Sequence, residues 1–245
     1  MKVAWFDTED WERDYLEGKT GGMDIEFFQE SLTAEKADEI EDFDAVTVFV
    51  ESKVDEEVLQ KIDVDYVACR STGYDHVDLE AAEEQNVTVL NVPEYGGTTV
   101  AEHTFGLILA LSRKIYSAVR KVDDGEFDHK GLRGFDLKGK TLGVIGTGSI
   151  GQNVIRIANG FDMDVIASDP YPDKEVANEL GFMYVSMDDL LEKADIITIH
   201  CPLTDGTKHL LSDEEFSRMQ DTVLVNTSRG EIIDTEALIE ALEEG

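Results

Sequence analysis

Residues 143–151 read GVIGTGSIG, which places Gly146, Gly148 and Gly151 in the spacing G-x-G-x-x-G. Alone the pattern is weak. Here it follows a strand-like run, TLGVIG at 141–146, and opens a helical pattern. It is answered by Asp169 at the end of the next strand-like run, 18 residues beyond Gly151. That context is the mark of a dinucleotide-binding βαβ unit, in which each part has a physical task. Gly146 permits a tight turn, Gly148 lets the backbone approach a pyrophosphate, and Gly151 lets helix and strand pack closely. The amides of Ser149 and Ile150 then face the phosphates at a helix N-terminus. Asp169 is suited to accept hydrogen bonds from the adenosine ribose hydroxyls and would repel a 2′-phosphate. No arginine follows it in DPYPDKE, 169–175, so NAD is expected over NADP.

Outward from this motif, short β-rich runs alternate with helical patterns from end to end, the pattern of a parallel α/β architecture. The strands expected on the motif's side are TLGVIG (141–146), DVIAS (164–168), FMYV (182–185), DIITIH (195–200) and TVLVN (222–226). On the other side they are VAWF (3–6), IEFF (25–28), AVTVFV (45–50), YVAC (66–69) and VTVLNV (87–92). Two doubly wound parallel-sheet domains are expected, 1–97 and 98–245. Between the two sets, residues 99–122 are expected to form one helix, apolar nearly all round through Leu111 and therefore buried between domains or subunits. The final helical run, TEALIEALEEG, closes on Gly245, where a C-cap glycine would turn the chain into the sixth strand such a sheet usually has. The expectation is a truncated second domain that lacks its last strand or strands.

Composition narrows the classes of function. The 54 acidic and 21 basic residues give a formal net charge of −33, which opposes nucleic acid and anionic membranes as partners. The acids are spread through helical segments and loops over ordinary apolar strands, as a salt-rich cytoplasm would favour, because high ionic strength screens self-repulsion. Halophily is the expectation. No metal site is expected, since DDGEFD at 123–128 lacks the spacing of a calcium loop. Cys69 and Cys201 are not a spaced ligand set, no apolar run is long enough to span a membrane, and Met1 leads straight into VAWF. A cytoplasmic protein is expected.

A second chemical signal is VNTSRGEIID, 225–234. Arg229 directly follows a buried strand, at the carboxyl edge of the sheet where ligands bind, and its planar fork of donors suits a carboxylate or carbonyl oxygen. A structural ion pair is the other explanation for such an arginine.

Together with GVIGTGSIG and VNTSRGEIID, the stretches STGYDHVDLEAA (71–82), NVPEYGGTTVAEHTFGLILAL (91–111) and HCPLTDGTKHLL (200–211) resemble the D-isomer-specific 2-hydroxyacid dehydrogenases, in their D-lactate dehydrogenase-like branch. The resemblance runs in order over nearly the whole chain. It implies that the first domain is a flavodoxin-like substrate domain and the second a Rossmann NAD-binding domain. It further implies that backbone N–H groups of Thr72 and Gly73 hold the substrate carboxylate, that Tyr95 lines the substrate pocket, and that Val100 packs on nicotinamide. Cys201, Pro202 and Thr207 match a loop beside the riboses, Thr227 and Ser228 match the strand end at nicotinamide, and Arg229 matches the substrate-orienting arginine. A homodimer through the helix from Thr99 is implied as well.

The resemblance also implies a proton-exchanging histidine and a glutamate that tunes it, both beyond Arg229. No histidine follows Arg229 in this sequence, and none of the glutamates there matches. Of the five histidines present, His76, His103, His129, His200 and His209, none is expected to replace it, and His103 is expected to pack or hydrogen-bond. The function expected is NAD-dependent interconversion of a small 2-oxo acid and a D-2-hydroxy acid. The competing expectation is a non-catalytic NAD-binding sensor, or an inactive truncated relic of the enzyme.

Overall fold

The computed structural model describes residues 1–244, so the C-cap expected at Gly245 lies outside the described residues. The chain divides into two compact units, Met1–Tyr95 and a second from Gly96 onward.

The first unit runs β1 (Lys2–Trp5), α1 (Asp10–Leu16), β2 (Asp24–Phe27), β3 (Ala45–Val48), α2 (Glu56–Lys61), β4 (Tyr66–Cys69), α3 (Leu79–Glu84) and β5 (Thr88–Leu90). All its strand pairs are parallel, in the order β2-β1-β3-β4-β5, the flavodoxin-type doubly wound order. Every residue of β3 is buried because helices cover both faces of a central parallel strand, whereas edge strand β2 alternates between exposed and half-buried. Asp55 and Asp78 cap α2 and α3 by accepting from Val58 and Ala81 N–H, so part of the acidic content does local structural work.

The carboxyl edge of this sheet is knitted by polar side chains. Asp7, in the left-handed region at φ 52°, accepts from Phe49 N–H at 2.8 Å and from the Ser52 hydroxyl at 2.7 Å. Arg70, directly after β4, donates to the Phe6 and Asp7 carbonyls at 2.9 Å each. It also pairs with Glu12 at 3.3 Å and lies over the Trp5 ring. These contacts fix the backbone that leads into Ser71–Gly73.

The second unit runs α4 (Gly97–Ser112), α5 (Ile115–Asp123), β6 (Thr141–Ile145), α6 (Ser149–Gly160), β7 (Asp164–Ser168), α7 (Lys174–Leu180), β8 (Met183–Tyr184), α8 (Met187–Lys193), β9 (Ile196–Ile199), α9 (Asp213–Phe216), β10 (Val223–Asn226) and α10 (Thr235–Glu244). Its parallel sheet has the order β8-β7-β6-β9-β10, which is the 3-2-1-4-5 portion of the Rossmann arrangement. Strand β9 is buried at all four positions, and β10 is at the edge among the described residues.

The single helix expected over 99–122 is two helices. Lys114 adopts the left-handed conformation between α4 and α5, φ 54° and ψ 36°. The break frees the Ser112 carbonyl to accept from Phe135 N–H at 3.1 Å. A Cβ on Gly134 would lie 1.8 Å from that carbonyl oxygen, so only glycine lets the 131–140 loop approach so closely. Helix α4 buries Ala101, Thr104, Phe105 and Ile108, while Leu107 and Leu111 remain exposed. The helix is thus one-sided in its own unit.

Candidate functional site

The glycine loop sits between the end of β6 and the start of α6. Gly146 has φ +92°, and a Cβ there would meet the His200 carbonyl and Cys201 N–H at 2.9 Å, so the turn tolerates no side chain. A Cβ on Gly151 would lie 2.1 Å from the Gly146 carbonyl oxygen, which sets the close approach of α6 to β6. Gly148 has nothing within 4 Å on its Cβ side and is the N-cap of α6, with no side chain capping the helix. The first-turn N–H groups, including those of exposed Ser149 and half-buried Ile150, are therefore left to an anion from outside. An uncapped helix start beside open space fits the pyrophosphate of a dinucleotide.

Asp169 follows β7 and is half-buried. Its Oδ2 accepts from Thr147 N–H at 2.7 Å and from the Thr147 hydroxyl at 2.9 Å, and its Oδ1 accepts from Tyr171 N–H at 2.9 Å. The structure therefore brings the glycine loop and the acidic residue together, as the motif requires.

The same edge gathers the ends of β9 and β10. The Ser228 hydroxyl donates to the Cys201 carbonyl at 2.6 Å, and the Thr207 hydroxyl donates to the Pro202 carbonyl at 2.6 Å, closing the loop after β9. Thr227 and Thr104 share a 3.0 Å hydroxyl contact, and Thr104 donates to the Val100 carbonyl at 2.8 Å, which ties the end of β10 to the first turns of α4. Arg229 is half-buried, and Asn226 holds its backbone by donating to the Arg229 carbonyl at 2.9 Å. Burial pushes the Cys201 thiol up, and the charge of Asp169 pushes it further in the same direction, so Cys201 is a protonated loop residue and a poor nucleophile.

In the first unit, Thr72 and Gly73 follow β4. The Thr72 hydroxyl donates to the Val92 carbonyl at 2.9 Å, Asn91 donates to the Thr72 carbonyl at 2.8 Å, and the Ser71 hydroxyl donates to the Gly73 carbonyl at 2.6 Å. The segment's carbonyls and hydroxyls are thereby committed to its own fold. Tyr95, the last residue of that unit, is 60% exposed. Sequence reasoning passed over Asp7, Arg70, Thr147 and Tyr184. Arg70 carries the same signal that drew attention to Arg229, an arginine directly after a strand.

The histidines are dispersed. His103, expected to pack or hydrogen-bond, is exposed on α4, and His129 is exposed too, while His76 is half-buried in the loop after Gly73. His209 Nδ1 is 3.3 Å from Asp234 Oδ2. His200, after β9, has a buried Nε2 without a hydrogen-bond partner, and burial drives its pKa down to about 4. An unfolded histidine titrates near pH ~6.5. Below that pH the unfolded chain takes up a proton that folded His200 refuses, so stability falls as pH drops from about 6.5 towards about 4. A His200→Asn variant should show a flatter dependence of Tm on pH between 5 and 6.5 than the parent. Equal slopes would show that His200 is not the buried neutral group.

A doubly wound sheet with an uncapped glycine-loop helix and an anchored aspartate defines a dinucleotide-binding α/β protein. Comparison with known proteins gives the family. Residues 105–245 match the family described as D-isomer specific 2-hydroxyacid dehydrogenase, NAD binding domain. A 2-hydroxyacid dehydrogenase homolog of Haemophilus influenzae is 42% identical over 250 residues, covering 100% of this chain and 75% of the relative. Among solved structures, the apo-structure of D-lactate dehydrogenase from Escherichia coli matches with a TM-score of 0.89 and 41% identity, covering 100% of this chain and 79% of that one. The D-lactate dehydrogenase from Aquifex aeolicus complexed with NAD and lactic acid matches with a TM-score of 0.92 and 31% identity, over 99% of this chain and 74% of that one. The chain belongs to the D-isomer-specific 2-hydroxyacid dehydrogenases, and its second unit carries their NAD-binding domain. No helix among the described residues is long and apolar enough to cross a membrane.

Proposed function

We propose that this chain is an NAD-dependent oxidoreductase interconverting a small 2-oxo acid and the corresponding D-2-hydroxy acid, with pyruvate and D-lactate the first pair to test. The observation that carries the reading is Arg229, set after β10 in the unit that also carries the glycine loop and Asp169. When bound, the nicotinamide supplies the hydride. The residues of the chain supply position and charge. Ser149 and Ile150 N–H groups hold the phosphates beside Gly146, Gly148 and Gly151, and Asp169 takes the ribose. Val100, Cys201, Pro202, Thr207, Thr227 and Ser228 border the remainder of the cofactor. Arg229 orients the acid by its guanidinium fork. For the first unit, proposed as the substrate domain, the family likeness supports Thr72, Gly73 and Tyr95 as substrate-binding residues.

The test is calorimetric titration of oxamate, a non-reducible pyruvate analogue, into the NADH-loaded protein. Arg229→Gln should weaken oxamate by about 10- to 100-fold, the range of a charge-assisted hydrogen-bonded contact, with NADH affinity nearly unchanged. Equal oxamate affinity in the two proteins would remove Arg229 from the substrate site.

A second reading is a non-catalytic NAD-binding sensor, which binding of NADH without any oxidation by pyruvate would favour. The exposed apolar residues Leu107 and Leu111 on α4 and Ile115, Val119 and Val122 on α5 support the homodimer reading. The net charge of −33 supports a salt-rich cytoplasm and argues against nucleic acid and anionic membranes as partners.

A further inference from the structure

Asp169 does not stand alone. A hydroxyl has one hydrogen to give. Thr147 Oγ1 gives its hydrogen to Asp169 Oδ2 at 2.9 Å, so the 2.8 Å contact between Thr147 Oγ1 and the Tyr184 hydroxyl runs the other way, with Tyr184 donating. The Tyr184 oxygen in turn accepts from Asp173 N–H at 3.2 Å. The donors therefore line up in one direction, from Asp173 N–H through Tyr184 and Thr147 to the carboxylate, an arrangement in which each bond polarises the next. Asp173 is itself held, because its side chain caps α7 by accepting from Glu175 and Val176 N–H at 2.9 and 3.1 Å. Tyr184 is placed by the pairing of β8 with β7, opposite Ala167, and by edge-on packing of its ring against Phe182 at 5.0 Å.

This geometry has a consequence at the carboxylate. Oδ2 has both acceptor positions filled, by Thr147 N–H and the Thr147 hydroxyl, whereas Oδ1 accepts, among the described residues, only from Tyr171 N–H. One acceptor position is left on Oδ1. We infer that Thr147 and Tyr184 are positioning residues for coenzyme selection: they lock Asp169 so that Oδ1 meets a ribose hydroxyl and its charge cannot rotate away from a 2′-phosphate. The inference rests on Asp169 being the ribose contact.

The experiment measures NADH and NADPH affinities by calorimetry in molar salt for the parent, Asp169→Asn, Tyr184→Phe, Thr147→Val and Thr147→Ser. Tyr184→Phe keeps the ring and its packing and removes only the hydroxyl. It should lower the ratio of NADH to NADPH affinity by about 3- to 10-fold, the effect of one hydrogen bond, with Thr147→Val lowering it further and Thr147→Ser restoring it. If Asp169→Asn leaves the ratio unchanged, the ribose reading itself fails. If Asp169→Asn collapses the ratio while Tyr184→Phe and Thr147→Val change both affinities equally or not at all, Asp169 stands and the positioning role is overturned. A merely structural contribution from Tyr184 would move both affinities together.

Discussion

Gly151→Ala is expected to lose NAD binding by 100-fold or more on calorimetry, and to melt well below the parent. The added Cβ would lie 2.1 Å from the Gly146 carbonyl oxygen, an atom of the backbone and not the tip of a flexible side chain. Overpacking against movable side chains already costs about 1–3 kcal/mol. Here the partner atom belongs to a turn that is itself locked, since Gly146 holds φ +92° against the His200 carbonyl. Relief therefore has to come from α6 backing away from β6, which carries the first-turn N–H groups off the phosphates they are placed to meet. Gly148→Ala is the instructive comparison. A Cβ there meets nothing within 4 Å in the protein, so the fold should survive and the loss should fall on cofactor affinity alone. If Gly151→Ala binds NAD like the parent, the close helix approach is not what shapes the phosphate site.

Salt should have the other large effect. With a net charge of −33 on 245 residues, self-repulsion is screened over about 3 Å at ~1 M salt but reaches about 30 Å at ~0.01 M. The ion pairs do little to offset it. Lys138 with Asp162 and Arg113 with Asp136 are surface pairs that water and salt weaken further, so they add little to stability. Raising potassium chloride from about 0.1 M to about 3 M should therefore lift Tm by roughly 10 °C or more, since a chain of this size gains about 2–4 °C for each kcal/mol. A Tm that is flat or falling over that range would remove the salt-adapted reading and leave the acidic surface without an explanation.

How far the sequence disclosed these features depends on the range of the physics involved. All ten strands lie where apolar β-rich runs predict them, because a parallel strand covered on both faces is buried along its length and must be mostly apolar, as β3 and β9 are apart from Thr47 and Thr198. The glycine loop was equally open to reading, since its constraints are local to one turn. The break at Lys114 was not. It depends on Gly134, twenty residues away, bringing the Phe135 N–H to the Ser112 carbonyl, and no periodicity within 99–122 records that. Arg70 shows the limit of a correct rule. It lies just past the end of β4 much as Arg229 lies just past the end of the half-buried edge strand β10, yet its fork is spent on the Phe6 and Asp7 carbonyls and on Glu12. The rule finds arginines at a sheet's carboxyl edge; what they hold is decided by residues distant in sequence. Tyr184 was hidden for the same reason, its partners being Thr147 and Asp173.

The central claim, reduction of a 2-oxo acid to its D-isomer, is tested most directly by a single-turnover experiment. Protein in excess over NADH is mixed with pyruvate in molar salt, and the lactate formed is resolved into its isomers. The account predicts stoichiometric NADH oxidation that yields D-lactate and is lost in Arg229→Gln. L-lactate as the product, or bound NADH that pyruvate never oxidises beyond the protein-free rate, would contradict it.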